Sequence, residues 1–194
     1  MVEDTAQTHA RDLGALVGTR INGQDFVIAA SSGEHALTSY AANANTGALS
    51  VRDTMGAEQG LGLLNSITEV EMIETGGQHF VVVASAADNG QMGALSVLKL
   101  TASGQLIAVD HILDNLNTRF GTVQSLATIN VDDRVYVVAG GGDDGLSLFV
   151  VMPGGQLQHL STLADAVTTN LTNVSAPVVI ICKGKGGTTS YGTV

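Results

Sequence analysis

Two short stretches carry most of the side chains that could do chemistry. The first, "GGGDDG" at residues 140–145, offers Asp143 and Asp144 as oxygen ligands for a calcium ion. The second, "VDHILDN" from residue 109, places Asp110, His111 and Asp114 together, with Arg119 a few residues on. There a histidine could act as a general base beside an orienting carboxylate. Neither pattern is complete. A calcium site needs about six to eight oxygens at fixed spacing, yet the cognate turns carry only Asp88 with Asn89 and Glu34 with His35. Asp-Gly and Asn-Gly pairs are favoured in hairpin turns because they tolerate positive φ, so the acidic stretch reads as a turn. As a phosphate loop it lacks both the following helix and the lysine. His111 has no matched nucleophile in a "GxSxG" elbow.

The other candidates are scattered. His9, His35, His79, His111 and His159 include no pair at the i, i+4 spacing of a zinc-protease helix. Arg11, Arg20, Arg52, Arg119 and Arg134 fall in no catalytic motif, and Asn170 and Asn173 match a glycosylation acceptor pattern. The single Cys182 excludes an intrachain disulfide and a cysteine-based zinc cage. Eight Lys and Arg against 18 Asp and Glu give a net charge of −10. That field repels a phosphate backbone and an anionic membrane surface. No apolar run reaches the length of a membrane span, and "MVEDTAQTHARDLG" is not a secretory signal peptide.

The elements that must position these residues form a repeat. "DFVIAASSGEHALTSY", "HFVVVASAADNGQMGALSVLKL" and "RVYVVAGGGDDGLSLFVVM" align with Phe26 over Phe80 and Phe80 over Val135. Gly47, Gly104 and Gly155 come into register in "NTGALSVRD", "ASGQLIAVD" and "PGGQLQHLS". Ahead of each copy, Leu13, Ile67, Val123 and Val174 hold equivalent places. Within the second copy the short apolar or alternating runs predict strands over about 66–75, 79–85, 94–100 and 106–112. Four antiparallel strands joined by tight turns, repeated every fifty-odd residues, describe an all-β, β-propeller-like array of blades. A β-sandwich or another repeated meander is the alternative.

The pattern "VVVAS…DNG…GALSVLKLTASGQL" resembles the blades of lactonase-type propellers, the 6-phosphogluconolactonase and YVTN-repeat relatives. Ser96 and Ser147 stand in similar strand contexts, whereas Ser50 aligns with the fourth strand of its copy. The blades also resemble propeller regions of bacterial secreted proteins of the hemolysin-repeat kind, although no "GGxGxD" nonapeptide is present.

The expected organisation is a lead at 1–12, blades at 13–54, 64–112 and 120–163, and a partial fourth blade at 171–194 that loses the pattern after Ala176. Three blades and a piece leave the ring incomplete, since closed propellers have about four to eight. The sequence therefore suggests a non-catalytic binding or structural module of a larger, secreted bacterial protein. Its expected partners are further blades of the same protein or other copies of the chain. The alternative is a lactonase-like hydrolase, or a fragment of one, acting on a small sugar-derived ester. No cofactor is expected, calcium being the one candidate.

Overall fold

The structure, a computed structural model, describes Thr5, residues 8–63, 65–88 and 92–166, and Leu171, Thr172 and Val174. Apart from those last three residues the expected fourth blade lies outside this description, as do Asn89, Asn170, Asn173, Pro177 and Cys182.

Twelve strands form three four-stranded antiparallel sheets, each in simple sequential order. The first contains β1 (Leu13–Ile21), β2 (Gln24–Ser31), β3 (Ala36–Ala42) and β4 (Leu49–Met55). The second contains β5 (Ser66–Thr75), β6 (Gln78–Ala86), β7 (Gly93–Leu100) and β8 (Leu106–Leu113). The third contains β9 (Ser125–Val131), β10 (Arg134–Gly141), β11 (Gly145–Val151) and β12 (Leu157–Ala164). A single 3-10 turn at Ala57–Gln59 is the only helical element among the described residues. The first strands β1, β5 and β9 lie side by side, so the sheets fan out from a common inner edge. This is propeller geometry, and the ring is not closed.

Each sheet buries a face against its neighbour, which accounts for the strand chemistry. Successive side chains of a strand point to opposite faces. In β6, Val81 and Val83 pack with Phe26, Ile28 and Ala30 of the first sheet. Phe80, Val82 and Ala84 pack with Val135, Val137 and Phe149 of the third. A strand covered on both faces needs no polar alternation, and β6 is an unbroken apolar run for that reason. Each fully buried Val or Phe there contributes about 1.5–3 kcal/mol.

One alignment is corrected by the register. The hairpin turns are Asn22–Gly23, Gly76–Gly77 and Asp132–Asp133, flanked by the pairs Ile21 with Gln24, Thr75 with Gln78 and Val131 with Arg134. Counting from these turns, Phe26 and Phe80 correspond to Tyr136, not to Val135. A shift of one residue moves a side chain to the other face. Val135 accordingly faces back toward the second sheet, and Tyr136 faces forward, away from it.

Candidate functional site

The residues singled out by their chemistry divide among three places. Asp110 and His111 are successive in β8 and so face opposite ways. The Asp110 carboxylate accepts the N–H of Leu157, across the gap between the second and third sheets, at 2.8 Å, and that of His111 at 2.9 Å. One sheet earlier the Asp53 carboxylate accepts the N–H of Leu106 at 2.8 Å. Asp53 and Asp110 each stand six residues after a turn glycine, Gly47 and Gly104, and each sits at a bulge in its sheet. They are one repeated latch that ties the outer strand of a blade to the next. The equivalent residue of the third sheet is Ser161. The latch was visible in the aligned glycine segments and was missed there as a recurring acid.

His111 faces the other side. Its Nδ1 shares a hydrogen bond of 2.9 Å with Ser96 Oγ, its cross-strand partner. Ser96 is completely buried, as are its counterparts Thr38 and Ser147 on β3 and β11. The Thr38 hydroxyl donates to the Thr8 carbonyl at 2.8 Å, and the Ser147 hydroxyl accepts the Arg119 N–H at 2.7 Å. The buried hydroxyls thus fasten each sheet to a connecting segment or to its own outer strand. A hydroxyl with no exposed surface is not placed to attack a substrate. His111, Ala108, Val109 and the 60–62 segment line a groove of about 350 Å³.

Asp114, Arg119 and Asp143 do come together, where the connection from β8 to β9 passes the β10–β11 turn. Asp114 Oδ1 accepts the Thr118 hydroxyl at 2.7 Å and the Phe120 N–H at 3.1 Å, which pins the connection. Arg119 Nη1 donates to the Asp143 carbonyl at 3.2 Å. Arg11 Nη2 makes the equivalent bond to the Gly33 carbonyl at 2.6 Å in the first sheet. Burial pushes the Asp143 carboxyl up from its ordinary pKa, a Gly121 hydrogen bond opposes that, and the Asp114 charge adds to it. Asp144 takes a left-handed conformation (φ +54°), as His35 does in the first sheet (φ +49°). The acidic stretch is therefore a turn. Among the described residues, no group of three His, Cys, Asp or Glu is arranged to hold a metal ion.

The charge pattern also omitted one pair of acids. Glu69 and Glu71 project from the inner strand β5 on the side of the third sheet, their cross-strand partners being Ala84 and Val82. Glu69 accepts the Leu126 N–H at 2.6 Å. Burial raises the pKa of both groups, and the Glu69 charge raises that of Glu71 further. A glutamate whose folded pKa is raised contributes stability below its unfolded pKa, and that contribution is lost as pH rises through the folded value. Glu71→Gln is therefore expected to stabilise the protein at pH 7 by less than about 1 kcal/mol, a small gain because solvent screens a half-buried group. The gain should vanish below the ordinary glutamate range. Chemical denaturation of both proteins at pH 3 and pH 7 measures it, and an equal difference at the two pH values would refute the assignment.

No protein-family model matches the chain, nor does any curated protein. Several solved structures do. A putative 6-phosphogluconolactonase from Bacteroides uniformis has a TM-score of 0.55 at 18% identity, over 79% of this chain and 43% of that one. The periplasmic gluconolactonase of Pseudomonas aeruginosa has a TM-score of 0.53 at 19% identity, over 76% of this chain and 38% of that one. A GH43_1 enzyme from Xanthomonas citri, solved with xylose, has a TM-score of 0.51 at 7% identity, over 79% and 56%. The chain thus spans roughly two fifths to just over half of the length of these structures. At such identities the likeness is one of fold: three consecutive blades of a β-propeller, of the architecture that gluconolactonases and GH43 enzymes share.

Proposed function

We propose that the chain is a non-catalytic propeller segment, a binding and structural module of a larger protein exported to the periplasm or exterior of a bacterial cell. The observation that carries this reading is that the reactive side chains are engaged in structural hydrogen bonds within blades, between blades and along the connection. Asp110 latches β12, Asp114 pins the connection that leads into β9, Arg119 holds the β10–β11 turn, and the Ser96 hydroxyl is buried against His111. The net charge of −10 and the fold likeness to a periplasmic gluconolactonase support export. The lactonase-type resemblance has counterparts among the similar structures, whereas a hemolysin-repeat host rests on composition and blade style.

One observation favours the second reading, a lactonase-like hydrolase acting on a small sugar-derived ester. Asp114, Arg119 and Asp143 converge at one blade junction. A lactone assay separates the two. Purified protein, with and without added calcium, is expected to hydrolyse gluconolactone and 6-phosphogluconolactone no faster than buffer does. Saturable hydrolysis that falls at least tenfold in Asp114→Asn, with the fold intact by circular dichroism, would establish the hydrolase instead.

A further inference from the structure

The forward face of the third sheet presents an apolar concavity of about 400 Å³, lined by Ile129, Tyr136, Val138, Leu146, Leu148 and Leu163. We propose that this face is the seat of a fourth blade of the same repeat, entered at Val174, an inference that rests on the propeller reading above. Its lining residues occupy the positions by which the first two sheets hold their successors. Tyr136 stands where Phe26 and Phe80 stand, Val138 where Ile28 and Val82 do, and Leu146 where Leu37 and Leu95 do. In those two sheets the same positions form one side of the apolar clusters between blades.

Two further details identify the occupant as a blade. Gly104 and Gly155, both at φ +90°, lie directly on the Phe26 and Phe80 rings, so that a Cβ at either would overlap the ring. Each such glycine comes from the third turn of the following blade. Tyr136 is the third ring of this series, and it borders the open concavity. The chain also makes the first contact of a fourth blade. Asp165 Oδ1 accepts the Leu171 N–H at 2.7 Å, and a Cβ on Gly140 would lie 3.1 Å from the Val174 side chain. Ile67 shares a cluster with Ala30, and Val123 shares one with Ala84. Val174 over Gly140 repeats that arrangement, since Gly140 corresponds to Ala30 and Ala84 in the register. The seat also differs from its predecessors at the latch, where Ser161 replaces the acids Asp53 and Asp110.

The test supplies a blade in register. Because Val174 corresponds to Ile67, residues 68–113 are joined directly after Val174 in place of 175–194. A Leu148→Cys thiol, in a Cys182→Ser background for the parent chain, reports on coverage of the face, with Leu116→Cys as an exposed reference. The added blade is expected to slow labelling at position 148 at least tenfold relative to the parent, independently of protein concentration. Ser161→Asp should then raise the thermal midpoint of the extended chain by restoring the latch and leave that of the parent unchanged. Labelling unchanged by the added blade would overturn the proposal, as would an added blade that stays unfolded on a folded arc. Protection in the parent that disappears on dilution would do so too, since a second copy would then be the occupant. So would an equal effect of Ser161→Asp in both chains, or none in the extended one. The lactone assay reads none of these quantities, so the two proposals fail separately.

Discussion

Val82→Asp should leave no soluble folded protein, whereas Leu148→Asp should fold. Val82 has no exposed surface and packs between the second and third sheets, with Phe80, Val97 and Val137 in the same cluster. An aspartate there removes about 1.5–3 kcal/mol of apolar burial. It also buries a carboxylate in an apolar cluster, which raises the loss above about 4 kcal/mol. Domains of this size have about 5–15 kcal/mol of stability in all. Val137→Asp, equally buried on the facing sheet, should behave in the same way. Leu148 is equally apolar and also lies in a central strand, but it borders the open concavity of the third sheet. A carboxylate there stays in contact with water, and the expected loss is below about 1.5 kcal/mol. Soluble yield and urea unfolding of the three variants check this. A folded Val82→Asp, or a Leu148→Asp as damaged as Val82→Asp, would mean that the sheets do not stack in this order.

The strands were legible because the repeat recurs three times and its turns are chemically marked. In the second copy the expected strands and β5 to β8 differ by at most one residue at any end. Phase was harder to read than position. "VYVVAGG" is apolar on both faces, so nothing within the run says which parity faces forward, and Phe80 was matched to Val135. The two-residue turns carry the phase, and Asp132–Asp133, lacking glycine, does not announce itself as the equivalent of Gly76–Gly77. The groupings at the candidate site were hidden for a different reason. Asp114 and Asp143 are distant in sequence and meet only because the connection into β9 runs past the β10–β11 turn. Asp110 and His111, adjacent in sequence, are separated by the alternation of a strand. Proximity along the chain was therefore a poor guide to proximity in space. The recurring acid six residues after the turn glycine was the better signal, and it points to blade joining.

That signal leads to a test of what Asp110 does. Asp110→Ala is expected to cost about 2–3 kcal/mol, because the carboxylate accepts two backbone N–H groups and hydrogen bonds to a charged acceptor are worth about 1.5–3 kcal/mol. The Leu157 amide, almost buried at the start of β12, would lose its acceptor. Asp110→Asn should recover part of the loss, since the amide oxygen can still accept one of the two bonds without the charge. Asp53→Ala should reproduce the effect at the first junction, where Leu106 N–H is the donor. The two sites share no partner and occupy different blade gaps, so the double variant should lose the sum of the single losses to within about 0.5 kcal/mol. Denaturant midpoints of the four variants and the parent give the answer. A catalytic Asp110 would behave otherwise: Asp110→Ala would abolish turnover of a lactone while leaving the midpoint near that of the parent, and Asp53→Ala would not resemble it. A matched pair of stability losses is the signature of a latch, because a catalytic role would not recur at two successive blade junctions.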